Sequence, residues 1–429
     1  MRHFGGSVLC VLIYAGSLAP AHAQLMNFMM DMIYTGARYN RIEPGGAVSG
    51  SMRSFEDFRQ DMWREASAAG VSPAIFERAF ADLTPDPWVI EKASHQPEFV
   101  QPIWEYLDGA VSQRRIEFGR EALAGHHAVL ARIEAAYGVD RHVIAAIWGM
   151  ESTYGRLLED RTLVRPIVRS LASLAYLDAK RSKYARGQLI AALQIAEQEN
   201  MDPNLMLGSW AGAMGHTQFI PSTYRAHAVD FDGDGRRDVW ASVPDALAST
   251  AHYLSVSGWR PGETWGYEVT LPAGFDYGRA GERRAIAGWR GLGVARTHAR
   301  AFPRPGDEAV LHLPAGAEGP AFLLLGNFQV IKRYNSSDAY ALAVGHLADR
   351  LQDEPAFVAG WPAGERVLGR DEAMELQRLL TARGFDAGGA DGHIGPRTRD
   401  ALRDWQASVG LVPDGFATGS LLERLRGDG

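Results

Sequence analysis

Apolar residues recur at intervals of three and four positions through the first half of the chain, from Phe55 to about Tyr253. This spacing places them on one face of a helix. Between about 262 and 330 the pattern changes to short runs of β-forming residues separated by glycine and proline turns. Helical spacing returns from Ala339 to Leu351. The sequence therefore predicts an α+β domain over 51–351, predominantly α-helical, with a small β-rich insertion.

The C-terminal part of the chain is a second, smaller unit. Residues 352–365 contain several prolines and glycines without a clear period and predict a linker. Residues 366–429 then contain an internal half-repeat, because the turn sequence 391–395 (Asp-Gly-His-Ile-Gly) recurs at 414–418 (Asp-Gly-Phe-Ala-Thr), each time after a helical pattern. We expect a compact three-helix module appended to the larger domain.

The N-terminal segment has the pattern of a secretory signal peptide. Arg2 is followed by the apolar run Val8 to Ala15 and by Ala21-His22-Ala23, a cleavage-site sequence, so we expect removal of residues 1–23. Cys10, the one cysteine of the chain, lies inside this segment and comes too early to follow a full apolar region, which argues against a lipoprotein. Residues 24–50 are rich in methionine and then in glycine and serine, and predict a flexible tether.

Length and charge restrict the function. A chain of 429 residues is long enough for two to three domains. With 46% apolar and 22% charged residues it has the composition of a soluble globular protein. The formal net charge of −7 argues against nucleic acid as the main partner, since phosphate binding requires a basic surface.

Glu151 is the first candidate for chemistry. The apolar residues Val143, Ile144, Ile147 and Trp148 predict a helix that begins near Asp140, and Glu151 continues their stripe. A carboxyl group packed against Trp and Ile loses hydration, which raises its pKa and favours a general acid. The alternative is a frayed helix end at which the carboxylate points to water.

The second candidate is the segment 209–222, which is rich in small residues and contains Gln218. Small residues let a ligand approach the backbone closely, and a glutamine amide can bind hydroxyl or amide groups. The same composition would also suit tight helix packing without a ligand.

The third candidate is an aspartate-rich loop. Asp230, Asp232, Asp234 and Asp238 occupy positions 1, 3, 5 and 9 of an EF-hand-like calcium loop, with glycine at position 6. Position 12 is an alanine, and Asp245 is the residue that could close the site. The alternative is a solvated Asp/Gly turn without a metal. If calcium binds here, we expect its role to be structural.

Taken together, these motifs resemble those of the B-type lytic murein transglycosylases. The resemblance lies in 148–155 (Trp-Gly-Met-Glu-Ser-Thr-Tyr-Gly), in 209–222 and in 333–340 (Arg-Tyr-Asn-Ser-Ser-Asp-Ala-Tyr), and it covers roughly 55–351. The last 60 residues resemble a peptidoglycan-binding module. The resemblance implies a lysozyme-like catalytic core, a periplasmic location and no required cofactor.

The resemblance also implies roles for individual residues. Glu151 would be the acid and base. The residues that would line the glycan groove are Ser209, Gln218, Tyr253, Tyr334, Asn335, Tyr340 and, on local similarity, Tyr106. Lys180 and Arg181 would form a basic pair that faces the stem peptide, with weakened bidentate pairing where lysine replaces arginine.

The implied substrate is a peptidoglycan glycan strand. A single Glu would protonate the bond between N-acetylmuramic acid and N-acetylglucosamine and then activate the muramoyl C6 hydroxyl, which closes a 1,6-anhydro ring. A lysozyme-like hydrolase and a non-catalytic wall-binding protein are the alternatives. The sequence does not indicate protein partners in wall synthesis or hydrolysis.

Overall fold

A computed structural model describes residues 54–94, 101–160, 162–362 and 364–427. The predicted signal peptide and tether lie outside these residues. Helices make up most of the described chain up to Leu351; they are α1 (Phe55–Ala68), α2 (Pro73–Phe80), α3 (Pro87–Ser94), α4 (Ile103–Ala110), α5 (Gln113–Gly125), α6 (His127–Tyr137), α7 (Arg141–Ser152), α8 (Ile167–Leu177), α9 (Ser182–Gln198), α10 (Pro221–His227), α11 (Val243–Val256), α12 (Ile286–Gly291), α13 (Gly326–Tyr334) and α14 (Asp338–Leu351). None of the described helices is both long and apolar enough to cross a membrane.

Helix α7 is the centre of the larger helical core. Its N-terminus is capped by Asp140, whose carboxylate accepts the His142 N–H at 2.7 Å. Every residue from Val143 to Ser152 is buried, because α7 packs against α14, α5, α11 and α6. A helix buried on all sides is rigid, and its C-terminal end is therefore a firm support for a functional side chain.

A second helical core lies beside the first. Helices α8 and α9 pack together and are covered by α1, α2 and α3. Two short strands, β1 (Arg165–Pro166) and β2 (Leu207–Gly208), pair antiparallel at the edge of this core. This pairing fixes the start of the 209–222 segment relative to α8.

The predicted β-rich insertion is a five-stranded antiparallel sheet in the order β4-β6-β7-β3-β5. Its strands are β3 (Gly266–Thr270), β4 (Arg283–Ala285), β5 (Ala295–Arg296), β6 (Glu308–His312) and β7 (Ala321–Leu324). One face covers its own apolar cluster around Trp289 and Leu323. Phe322, whose side chain is on the opposite side of β7, joins the main helical core.

The segment predicted as a linker packs partly against the larger domain. The Glu268 carboxylate accepts the N–H groups of Val358 and Ala359 at 2.8–3.0 Å. Phe357 stacks on His346 with ring centroids 3.8 Å apart and meets Phe322 edge-on at 4.9 Å. We call residues 354–361 the strap.

The C-terminal module contains the three expected helices, α15 (Arg370–Ala382), α16 (Pro396–Ser408) and α17 (Gly419–Gly427). Leu376, Leu380, Leu402 and Trp405 form the centre of its own apolar core. The two half-repeat turns each follow one of the first two helices, as the sequence predicts.

Candidate active site

Glu151 lies one residue before the end of α7, with only 3% of its surface exposed. The Tyr340 hydroxyl on α14 donates a hydrogen bond to Glu151 Oε1 at 2.7 Å. The second carboxyl oxygen, Oε2, is buried without a hydrogen-bond partner among the described residues. One oxygen is therefore fixed by the protein, and the other is available to a ligand.

Burial raises the pKa of Glu151 to about 8, and the hydrogen bond from Tyr340 lowers it against that trend. The Glu151 carboxyl group is thus protonated at neutral pH. Burial also raises the pKa of Tyr340 and that of Tyr334, and the nearby Glu151 raises both further. Both phenols stay neutral and can donate hydrogen bonds.

A group of aromatic rings packs around Tyr334, one of the two tyrosines whose pKa Glu151 raises. Tyr253 and Tyr334 meet edge-on with centroids 5.4 Å apart, and Phe219 lies 6.1 and 5.9 Å from them. Tyr106 on α4 is close enough to Tyr340 to affect the pKa of its hydroxyl. Of the four tyrosines named from the sequence, Tyr340 and Tyr334 therefore lie near Glu151. Tyr253 and Tyr106 lie next to these two.

The segment 209–222 forms a tight loop beside these rings. Met214 bridges to Gly208 and to Phe219, and Gln218 adopts the left-handed φ of 53°, with its Nε2 donating to the Gly215 carbonyl at 2.9 Å. Non-glycine residues with positive φ are strained and concentrate at functional sites. The loop is held to the tyrosine group because the Tyr334 hydroxyl donates to the Thr217 carbonyl oxygen.

Ser209 shapes the loop from within. It is 2% exposed, and its hydroxyl accepts the N–H groups of Ala211 and Ala213 at 3.3 and 3.0 Å. A serine hydroxyl used in this way supports the backbone of the loop and has little surface left for a sugar. Sequence reasoning placed Ser209 in the groove and did not identify this supporting role.

His216 is a residue that sequence reasoning missed. Its Nδ1 accepts the indole N–H of Trp148 at 3.1 Å, and its carbonyl oxygen accepts the Ser152 hydroxyl at 2.6 Å. Trp148 and Ser152 lie on either side of Glu151 in the chain, so His216 ties the loop to α7 on both sides of the acid. Burial lowers the pKa of His216 to about 4, which keeps the ring neutral.

Two glycines of the 148–155 motif are required because aromatic rings pack closely against their Cα atoms. A Cβ on Gly149 would lie 2.5 Å from the Tyr154 ring, and one on Gly155 would lie 2.5 Å from the His216 ring. Gly155 also has a φ of 84°. The pattern of small residues around Glu151 therefore reflects packing of the two rings against the end of α7.

Two other predicted binding regions are already engaged by the protein itself. The Arg181 guanidinium pairs with Asp178 and donates to the Ala93 carbonyl, while Lys180 beside it is exposed. Asn335 caps the C-terminus of α13 and uses its side-chain oxygen to accept the Ser337 N–H at 3.1 Å.

The aspartate-rich loop gathers three carboxylates. Asp230, Asp232 and the buried Asp245 each place one oxygen within 4.8 Å of the others. Asp234, expected as a fourth ligand, lies outside this cluster. Its carboxylate accepts the Arg236 N–H at 2.9 Å in a local turn. Asp245 takes the closing position that the sequence suggested, and an all-oxygen set of this kind fits a hard cation such as Ca²⁺.

Two domain families match the chain. The family described as "Transglycosylase SLT domain" matches residues 54–349. A peptidoglycan binding domain family matches residues 369–425.

Individual proteins and solved structures are also similar to this chain. Membrane-bound lytic murein transglycosylase B of Escherichia coli K12 is 35% identical over 227 residues, which are 52% of this chain and 60% of that protein. The structure of SltB3 from Pseudomonas aeruginosa in complex with NAG-anhNAM-pentapeptide is 48% identical, with a TM-score of 0.81, covering 87% of this chain and all of that one. The structure of Slt35 from Escherichia coli in complex with calcium is 26% identical, with a TM-score of 0.57, over 72% of this chain and 95% of that one.

Proposed function

The chain belongs to the family of SLT-domain transglycosylases, and on this premise we propose that it is a peptidoglycan lytic transglycosylase with Glu151 as its single acid and base. Its substrate is the β-1,4 bond between N-acetylmuramic acid and N-acetylglucosamine, and its product carries a 1,6-anhydromuramic acid end. The observation that carries this proposal is the buried Glu151 carboxyl group, which Tyr340 holds at one oxygen and which has no hydrogen-bond partner at the other within the described residues. Burial raises its pKa to about 8, which favours the protonated form at neutral pH.

In the first step Glu151 acts as an acid. Because Oε1 accepts the Tyr340 hydrogen bond, the carboxyl proton is assigned to Oε2. A glycosidic oxygen that reaches Oε2 takes this proton as the bond to the muramoyl C1 breaks, through an oxocarbenium-like state. The carboxylate that remains is stabilised by the Tyr340 hydroxyl.

In the second step the same carboxylate acts as a base. It removes the proton from the muramoyl C6 hydroxyl, whose oxygen attacks C1 and closes the anhydro ring. The nucleophile is part of the sugar, so its effective concentration is high and no activated water is needed. The carboxyl group is buried, and Phe219 and Tyr253 pack against the nearby Tyr334, so access of water is restricted.

The single-acid mechanism is favoured over a hydrolase. A hydrolase of the usual kind needs a second carboxylate near the acid, whereas the side chain that donates a hydrogen bond to the Glu151 carboxyl group is a tyrosine, Tyr340. The third alternative, a non-catalytic wall-binding protein, does not explain why a carboxyl group with a raised pKa is buried at this position.

Mass spectrometry of the products from purified sacculi tests the proposal. Residues 24–429 are compared with the E151Q variant. Products one water lighter than reducing muropeptides, absent with E151Q, are expected. Reducing-end products would instead identify a hydrolase, and the absence of products with intact binding would identify a wall-binding protein.

We also propose that Ca²⁺ binds Asp230, Asp232 and Asp245 and has a structural role. Three oxygen ligands within 4.8 Å of one another, one of them buried, support this site. The ion would hold the aspartate-rich loop against the start of α11, which carries Asp245 and Tyr253. The chemistry at Glu151 requires no cofactor.

A periplasmic location completes the proposal. The signal-peptide pattern of residues 1–23 and membership of a cell-wall enzyme family support it, and the C-terminal module would bind the wall. Fractionation of cells together with N-terminal sequencing tests this proposal, and a mature chain that begins at Gln24 is the expected result. Retention of residues 1–23 would contradict it.

A further inference from the structure

The two half-repeat turns of the C-terminal module are locked in the same way. The side-chain amide of Gln377 donates to Asp391 Oδ1 at 3.0 Å and accepts the Gly392 N–H at 2.9 Å. Gln406 makes the equivalent two bonds, both 2.8 Å long, to Asp414 and the Gly415 N–H. Both glutamines are buried. The two turns therefore present an aspartate in the same orientation relative to their helices.

The second turn has a peptide bound to it, supplied by the chain itself. Asp414 Oδ2 accepts the N–H of Ala317, from the β-rich insertion, at 2.8 Å. The residue before it, Gly316, has a φ of +66°. An L side chain on Gly316 would collide with Asp414 Oδ2 and would lie 2.7 Å from Phe416 Cβ. This contact thus accepts a glycine followed by an amide N–H and excludes an L residue at the first position.

The first turn has the same groups, and no described segment of the chain outside the module donates a hydrogen bond to its aspartate. Asp391 Oδ1 accepts hydrogen bonds from Gln377 and from the His393 N–H, whereas Oδ2 accepts none from another residue in the part of the chain that the structure describes. Asp391 and His393 are exposed. His393 stands two residues after the aspartate, as Phe416 does in the second turn, so a ring is present beside both carboxylates.

We propose that the turn Asp391-Gly392-His393 binds peptides in which a D residue precedes an amide N–H, as in the D-alanyl-D-alanine end of a peptidoglycan stem peptide. A D residue favours positive φ, the mirror of the preference of L residues, and its side chain replaces the other hydrogen of the glycine. The first D-alanine takes the place that Gly316 has in the second turn. The N–H of the following residue then donates to Asp391 Oδ2.

The proposal deepens the proposed function, because it names the part of peptidoglycan that the module recognises, but its test is independent of catalysis. The probe is diacetyl-Lys-D-Ala-D-Ala, which contains no glycosidic bond, with diacetyl-Lys-L-Ala-L-Ala as its stereochemical control. Binding to residues 24–429 is measured by calorimetry and by the backbone amide shifts of Gly392 and His393. The D,D peptide is expected to bind and to shift these two amides, and the L,L peptide to bind at least about tenfold more weakly.

The D391N variant tests the carboxylate directly. The asparagine oxygen can still accept from Gln377 and His393, while an NH₂ group replaces Oδ2, so the turn is retained and the acceptor is lost. At least about tenfold weaker binding of the D,D peptide is expected. The matched control D386N removes another exposed carboxylate of the module and should bind as the unchanged protein does.

Three results would overturn the proposal: no binding of the D,D peptide, equal binding of both peptides, or unchanged binding by D391N. The product assay on sacculi is run in parallel with the same protein. Anhydro products without peptide binding would refute the peptide site alone, and peptide binding without anhydro products would refute the proposed lytic activity alone.

Discussion

The Tyr340 hydroxyl and Glu151 Oε1 lie 2.7 Å apart, although the two residues are separated by 189 positions in the sequence. Helices α7 and α14 pack directly against each other and bring them together. The bond orients the carboxyl group and leaves Oε2 for the reaction.

The Y340F variant is expected to shift the pH profile of the reaction to higher pH. The Tyr340 hydrogen bond lowers the pKa of Glu151, so its loss raises that pKa and keeps the acid protonated further into the alkaline range. The rate falls by about 10- to 100-fold, because the carboxylate formed in the first step loses its donor. Rates of turnover of soluble glycan fragments from pH 5 to 10 measure both effects. Y224F, which removes a buried hydroxyl on α10, is the control and should leave the profile unchanged.

The E151Q variant is expected to be more stable than the unchanged protein at neutral and alkaline pH. The folded-state pKa of Glu151, about 8, lies above the ordinary value of 4.5. The contribution of the buried, protonated Glu151 to the free energy of unfolding is therefore fully present below about pH 4.5. It is lost progressively as the pH rises towards 8. Glutamine does not titrate, so the difference in free energy of unfolding grows through this range to about 2–4 kcal/mol. Thermal unfolding at pH 5, 6.5 and 8 measures it, and a constant difference across these pH values would contradict the assigned pKa.

The acceptor nitrogen of His216 is expected to position the end of α7. In H216F the ring volume is kept, but the buried Trp148 N–H loses its acceptor, which costs about 1–3 kcal/mol of stability. We expect kcat to fall by about tenfold with KM nearly unchanged, because Glu151 is displaced while the groove remains. H216N places an oxygen near the position of Nδ1 and should recover most of the lost rate. If H216N were as impaired as H216F, packing of the ring and not the hydrogen bond would be the cause.

Calcium is expected to raise the melting temperature by a few degrees. Binding to the folded state alone adds about 2–3 kcal/mol at a concentration 100 times the dissociation constant. D230N removes one of the three clustered carboxylates and should abolish the shift, whereas D234N, outside the cluster, should retain most of it. Scanning calorimetry with calcium or a chelator distinguishes these cases, and an equal shift in D230N would locate the ion elsewhere.

Removal of the module after residue 364 is expected to weaken binding to sacculi and to spare turnover of soluble fragments. The strap remains in such a variant and keeps its contacts with Glu268 and His346, so the catalytic domain retains its packing. Pull-down with sacculi and assays on soluble fragments measure the two properties separately. Equal pull-down of the truncated and full-length proteins would show that the module does not contribute to wall binding.

The local sequence pattern was sufficient to predict part of this site. Asp140 as a cap and Glu151 on a buried stripe follow from spacing within a single helix. The roles of His216 and Tyr340 depend on contacts between distant segments, which no local spacing encodes; Tyr340 was identified only through the family resemblance. The same holds for the strap, whose backbone N–H groups are satisfied by Glu268, about 90 residues earlier.

The strap also limits how far the C-terminal module can move away from the larger domain. Only the short segment between Trp361 and Leu368 separates the last strap contact from the core of the module. Fully extended, this segment spans roughly 25 Å. Even with the Asp414 contact broken, the module would remain tethered within that distance of the larger domain. If the module binds the wall, the enzyme would therefore cleave glycan close to the point at which the module is bound.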